Sequence, residues 1–284
     1  MEVDKEQGRI TLTNTGNGAS LIQDHWVRVA RQVAPSERHN HNRFDLDLWH
    51  WQRPRNPEFF LRNADVLTSH VAGSKQDGYT ATLKLDYASS EREGEGIVLA
   101  MDYRVSPEGW IDLDYQLSPR DATGHFTELG LALKVGDDMQ LLRWVGNGPY
   151  ESYPGQTEGE RRGIYRVAPG HVTDPASRFF GGNRTGVDIA AITDAAGNGL
   201  GFLFDGATIS LEHEGHGFVF THVLRASGKG TKSGGLITEH RIPAAEITSE
   251  AASIRMVPLK AGAWPELFDT LLEGPHVLSG MEDW

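Results

Sequence analysis

The sequence predicts an all-β fold, a large antiparallel two-sheet sandwich with one short C-terminal helix, and three observations point to it. Short apolar–polar alternations recur along the chain, clusters of Gly, Pro, Asn and Asp separate them, and no long amphipathic helical repeat is present. A chain of 284 residues with 38% apolar content can bury a sizeable core. No internal repeat, linker or low-complexity tract divides it, so one domain over residues 1–284 is the expectation.

The elements follow in order. Ile10 and Leu12, then residues 21–30, form two strands around the turn cluster Asn-Thr-Gly-Asn-Gly at 14–18. Tyr79, Ala81, Leu83, Leu85 and Tyr87 alternate with Thr80, Thr82, Lys84 and Asp86, which gives one apolar and one wet face. Ile111, Leu113, Tyr115 and Leu117 alternate with Asp112, Asp114 and Gln116 in the same way, after the turn Ser-Pro-Glu-Gly at 106–109. Residues 187–193 and 200–205 flank Asp-Ala-Ala-Gly-Asn-Gly and read as a hairpin. Residues 209–212, 218–223, 236–240 and 254–259 add short β segments. The helix is placed after Trp264: Pro265 suits a first helical turn, Leu267, Phe268, Leu271 and Leu272 form an apolar face, and Gly274 suits the C-terminal cap.

Charge and composition exclude several classes of partner. A net charge of −12 with pI near 5.4 argues against nucleic acid or an anionic membrane, which need clustered Lys and Arg. There is no apolar run of about 18 residues to span a bilayer, and Met-Glu-Val-Asp-Lys-Glu lacks a basic-then-apolar signal pattern, so a cytoplasmic protein is expected. Zero cysteines removes disulfides, thiolate catalysis and Cys-based zinc sites.

Residues 144–165 hold five glycines and two prolines, which read as a shaped loop rather than a strand or helix. Trp144, Asn147, Tyr150, Glu151, Tyr153 and Glu158 combine flat rings with hydrogen-bonding groups, a pairing that suits a sugar with its C–H face and hydroxyl rim. The alternative is that these aromatics plug the loop onto the core. Residues 39–54 are the densest polar and aromatic run. In extended backbone His39, His41, Arg43, Asp45, Asp47, Trp49 and Trp51 share one side, followed by Arg53. Such a face suits a saccharide cleft with Trp49 and Trp51 as stacking platforms; the alternative is a solvated edge whose charges pair with each other.

Acid–base work on a sugar needs an acid and a base across the anomeric centre, or two carboxyl groups about 5 to 9.5 Å apart. Glu151, Glu239, Asp45 and Asp47 are the candidate carboxylates, and His222 and His240 the candidate imidazoles. Asn183 and Arg184 either bind a substrate oxygen or anchor the 144–165 loop, with anchoring favoured. His39 with His41, and His213 with His216, lack a third ligand at an informative spacing, so no metal and no cofactor is expected.

Trp-Val-Gly-Asn-Gly-Pro-Tyr-Glu-Ser-Tyr-Pro at 144–154 resembles the W-x-G-x-G-P-x-E-x-Y-P signature of the beta-galactosidase small chain, the last domain of family 2 beta-galactosidases. Glu-Leu-Gly-Leu-Ala-Leu-Lys-Val at 128–135 resembles the strand that leads into it, Gly-Ile-Tyr at 163–165 and Gly-Asn-Arg-Thr at 182–185 resemble its G-x-Y and G-N-R-T elements, and Gly-Arg-Ile-Thr-Leu-Thr-Asn at 8–14 its opening. The resemblance implies a large supersandwich similar to galactose mutarotases. It also implies an oligosaccharide or glycoside as ligand and a separate catalytic TIM-barrel chain or a homo-oligomer as partner, since no βα repeat for a barrel exists here.

Two departures accompany the resemblance. The family's W-R-x-P-T-D-N-D segment is matched only at its start by Trp-Gln-Arg-Pro, and the Gly-Gly-x-x-Ser-Trp loop that enters the barrel's site is replaced near residues 231–240 by a stretch without tryptophan. Three functions stand: a small subunit of a glycoside hydrolase, a stand-alone epimerase, hydrolase or lyase with its own cleft, and a non-catalytic carbohydrate-binding or assembly module. The Met1 start just before the domain's opening favours a function of its own.

Overall fold

The computed structural model describes residues 1–4, 8–14, 16, 18–29, 59–67, 78–89, 93–123, 125–139, 141–155, 160–167, 182–214, 217–228 and 242–264. They form strands β1 (Glu2–Asp4), β2 (Arg9–Thr13), β3 (Ser20–Arg28), β4 (Phe59–Leu67), β5 (Tyr79–Ser89), β6 (Gly96–Val105), β7 (Ile111–Arg120) and β8 (His125–Phe126). Then come β9 (Glu128–Val135), β10 (Leu141–Gly148), β11 (Arg161–Val167), β12 (Asn183–Thr193), β13 (Gly199–Glu214), β14 (Gly217–Ala226), β15 (Ile242–Pro243) and β16 (Glu250–Leu259). A 3-10 turn at Ala244–Glu246 follows β15. The all-β class is as the alternation predicts, and every strand pair is antiparallel. The expected C-terminal helix falls beyond Trp264, outside the described residues.

The two layers are arms of one 14-stranded sheet that forks at β13. One edge of β13 is taken by β12 along most of its length. The other edge is divided: residues 199–203 pair with β16, and residues 208–214 pair with β14. From β14 one arm continues through β9, β3, β2 and β1; from β16 the other continues through β7, β6, β5 and β4. β10 lies beyond β12, with β11 outside it. The sequence reading splits β13 into two strands, because Asp205 and Gly206 interrupt the apolar pattern where the strand passes from one arm to the other.

The arms fold over each other, and alternate residues of both face a common interior. Leu83, Leu85, Leu99, Met101, Leu113 and Met256 come from one arm, Val27, Leu131, Leu133, Phe218 and Phe220 from the other, and all belong to one buried cluster. Two ring contacts cross the interior: His25 of β3 with Tyr103 of β6 at 6.4 Å, and His222 of β14 with Tyr115 of β7 at 5.8 Å. Each pair joins strands that are far apart along the sheet.

The outward faces differ. On the β6–β7–β16 arm the outward residues are exposed and paired with each other: Arg104 with Asp114 at 2.5 Å, Arg255 with Asp112 at 2.6 Å, Ser253 with Asp114 at 2.5 Å and Thr82 with Asp102 at 2.6 Å. On the β3–β9–β14 arm the outward residues are buried, among them Arg28, Glu128, Thr221 and, on adjoining β13, Ser210 and Glu212. The first face is solvated and the second is covered.

Candidate functional site

The signature region is built as strand first and loop second. β10 runs through Trp144 to Gly148, paired on one side with β12 and on the other with β11, so the expectation of an irregular loop over the whole of 144–165 is corrected. The glycines are there for close approach. A Cβ on Gly146 would sit 2.8 Å from the Val187 Cα, and one on Gly148 would sit 2.8 Å from the Tyr165 ring. The backbone leaves the strand at Gly148–Pro149, a cis peptide.

The aromatics divide sharply. Trp144 is 1% exposed and belongs to the interior cluster. Its indole N–H donates to the Asn147 carbonyl at 2.9 Å, its ring lies 5.3 Å from the Tyr165 ring, and the Arg184 guanidinium stands 5.3 Å from its centroid. Tyr153 is 4% exposed. The expectation that Trp144 and Tyr153 offer stacking platforms is therefore corrected: both rings are sealed and hold the loop to the core. Tyr150 is 48% exposed and stands at the tip.

Glu151 follows Tyr150 and is half-buried; its Oε2 accepts from the Tyr153 hydroxyl at 3.5 Å. Gly182 packs against this pair with φ of 83°, and a Cβ there would come within 2.7 Å of Glu151 Oε2 and within 2.3 Å of the Tyr153 oxygen. Only glycine meets both conditions. Next to it, the Asn183 carbonyl accepts from the Ser152 amide at 2.9 Å and from Arg184 Nη1 at 2.9 Å. Arg184 is buried, and burial lowers its pKa to about 10, with the nearby Tyr153 opposing the shift. Arg184 is thus buried against the Trp144 ring, and its side chain is not exposed. The Asn183 carboxamide is fully buried on the other side of β12, and neither its nitrogen nor its oxygen has a hydrogen-bond partner.

Asn147 is held by Glu160 and Thr185, which the sequence reading does not name as site residues. Its amide donates to Glu160 Oε2 at 3.2 Å and to the Thr185 hydroxyl at 3.1 Å, and that hydroxyl donates to Glu160 Oε1 at 3.2 Å. Glu160 immediately precedes β11 and Thr185 is the last residue of the Gly-Asn-Arg-Thr element. Glu160 carries no spacing signal of its own, since its partners are distant in sequence. The result is a braced platform of Trp144, Asn147, Glu160, Arg184 and Thr185 under an exposed Tyr150 and a half-buried Glu151.

His222 does not join this group. It faces the interior from β14, its Nδ1 is 2.8 Å from the Tyr115 hydroxyl, and the Phe204 ring lies 5.1 Å away. Burial pushes its pKa down to about 4, so it is neutral near pH 7 and surrounded by rings. The expectation of an acid–base imidazole is corrected to a core position. His39, His41, Arg43, Asp45, Asp47, Trp49, Trp51, Arg53, Glu239 and His240 lie outside the described residues. Among the described residues no group of three or more His, Cys, Asp or Glu is placed to hold a metal, and no helix is long and apolar enough to cross a membrane.

Comparison with known proteins follows the same region. The family model described as "Beta galactosidase small chain" matches residues 1–226. A beta-galactosidase of Lactobacillus delbrueckii subsp. bulgaricus is 32% identical over 113 residues, covering 40% of this chain and 11% of that protein. The match thus spans only about a ninth of that relative's length. The crystal structure of the Slr1438 protein from Synechocystis sp. PCC 6803 aligns over 86% of each chain with 8% identity and a TM-score of 0.41.

Proposed function

The chain belongs to the beta-galactosidase small chain family, and from that premise we propose that it binds a saccharide and takes part in glycoside hydrolysis beside a separate chain that carries a catalytic barrel. One observation carries the reading. Within the family signature Trp144 and Tyr153 are buried, whereas Tyr150 stands 48% exposed beside Glu151. A rigid, half-exposed Tyr next to a carboxylate offers an apolar face and an acceptor, the two surfaces that a sugar ring or a partner's substrate-binding rim uses. Bracing by Trp144, Arg184 and Asn147 keeps the tip in one geometry at little ordering cost on binding.

The test is co-purification of the tagged chain from its source and an assay of aryl β-galactoside hydrolysis by the chain alone, by the recovered barrel chain alone and by both. Hydrolysis that needs both chains, and that falls with Tyr150→Ala, supports the proposal. Recovery of no glycosidase, or full activity without this chain, rejects it.

A further inference from the structure

The strand that carries the signature has an outward face as well as a buried one. Trp144 and Tyr165 turn into the interior cluster, so Arg143 and Val145 on β10 and Ile164 and Arg166 on β11 project to the other side of the sheet. Val145 stands opposite both Ile164 and Ile189, and Ile189 stands opposite Leu203, which carries this side across the fork. Val145, Ile189, Ala191 and Leu259 form a second buried apolar cluster, apart from the interior, with Leu203 and Val257 packed against it. An outward sheet face of this composition needs a cover.

The start of that cover is in the structure. Beyond β16 the chain turns back, the Ala263 amide donating to the Lys260 carbonyl at 3.0 Å. Ala263 and Trp264 pack against the second cluster, and the Arg143 guanidinium stands 6.0 Å from the centroid of the Trp264 ring. The backbone is helical at Trp264. The cover stops short of β11, where Ile164 is 53% exposed, more than any other large apolar residue among those described.

The sequence after Trp264 fits what is left bare. Leu267, Phe268, Leu271 and Leu272 recur with Trp264 at helical spacing, on one side of a helix. In such a helix Leu271 stands about 10 Å beyond Trp264. Ile164 lies one strand over and two residues along from Arg143, about 8 Å away. A helix begun beside Arg143 therefore reaches Ile164 with its leucines down. The charges agree. Arg143 and Arg166 are directly opposite each other, a like-charged pair that disfavours a bare face, and among the described residues neither has a carboxylate partner. Residues 265–284 carry Glu266, Asp269, Glu273, Glu282 and Asp283 and no Lys or Arg. The first three lie away from the leucines on the helix, so their attraction to the arginines acts across about 10 Å and is screened by salt.

We infer that residues 265–284 dock on the outward face of β10 and β11, leucine side down on Val145 and Ile164, as a strap across the back of the signature strand. The occupant is this chain's own segment, because the chain is already seated on the face at Trp264 and the segment's charge is opposite to that of Arg143 and Arg166. Docking requires neither a saccharide nor a barrel chain, so it stands apart from the reading above. High salt loosens the strap and uncovers the apolar face of the sheet.

The full chain has no cysteine, so cysteine pairs introduced into it react without a background. Ile164→Cys with Leu271→Cys tests the contact; Tyr79→Cys with Leu271→Cys is the control, Tyr79 being 44% exposed on the other arm. A short bismaleimide is added to dilute protein, and the crosslinked peptides and the chain mass are read by mass spectrometry. The expected result is crosslinking within one chain roughly tenfold faster in the first pair than in the control. Arg143→Glu, Arg166→Glu and about 1 M salt each slow it about threefold. Equal rates in the two pairs overturn the proposal, as do rates that neither charge reversal changes. Crosslinks between two chains overturn it as well, since they give the face to a second copy. Should the Ile164→Cys protein fail to fold, Arg166→Cys, two residues along on the same face, takes its place.

Discussion

The Tyr115 hydroxyl and His222 Nδ1 meet at 2.8 Å across the interior, between β7 and β14, strands that share no backbone hydrogen bond. Burial raises the Tyr115 pKa and lowers that of His222, so a neutral phenol meets a neutral imidazole and the tautomer of the ring sets which of them donates. The two layers are therefore tied by a polar contact inside an apolar core. Tyr115→Phe leaves the buried imidazole nitrogen unpaired and is expected to cost about 1–3 kcal/mol in urea denaturation. An unchanged midpoint would show that the contact adds nothing.

Stability falls on mild acidification through the two buried histidines. Burial lowers His25 and His222 from 6.5 to about 4; for His25 the nearby Asp24 and the Gly8 backbone oppose the shift while Arg9 adds to it. Between those values the unfolded chain binds protons that the folded chain excludes, so stability is full above about pH 6.5 and declines down to about pH 4. The loss is on the order of 3 kcal/mol for each ring. Chemical denaturation at several pH values should show this slope, and His222→Gln should flatten it; the same slope in that variant would contradict the assignment.

Gly182→Ala is expected to loosen the signature loop. The residue adopts φ of 83°, and a Cβ collides with Glu151 and Tyr153. The strain of the left-handed backbone alone is about 1–2 kcal/mol. Hydrogen exchange at the Ser152 amide, bonded to the Asn183 carbonyl at 2.9 Å, reports it directly: faster exchange in the variant is the expected outcome.

Trp144 and Tyr150 separate fold from function within one motif. Trp144→Ala empties a sealed site and is expected to cost about 3–5 kcal/mol. Tyr150→Ala changes stability by no more than about 0.5 kcal/mol and acts on partner-dependent hydrolysis instead. Melting temperatures and activity measured on both variants test the division, and equal destabilisation would remove it.

The strands legible in the sequence are those with one wet face. β5 and β7 alternate because their outward residues, such as Lys84 and Asp112, meet solvent. β9 is buried on nearly every residue, so Leu-Gly-Leu-Ala-Leu carries no clean period and is recognisable only by resemblance. β6 is missed although Ile97, Leu99, Met101 and Tyr103 alternate, and β10 is misread because its glycines, which admit neighbouring chain, carry the same letters as a turn. The site is less legible still. A tryptophan among glycines reads alike whether its ring is sealed or presented, and the hold of Glu160 and Thr185 on Asn147 exists only through contacts between residues far apart in sequence.

A strand that serves both arms has a dynamic consequence. Because β13 hands its edge from β16 to β14 while β12 guards the opposite side, neither layer can peel away without breaking hydrogen bonds that the other depends on. Its paired residues lie at the centre of the sheet, which makes this strand the last segment to open and leaves the edge strands β1, β4 and β11 as the places where fraying starts.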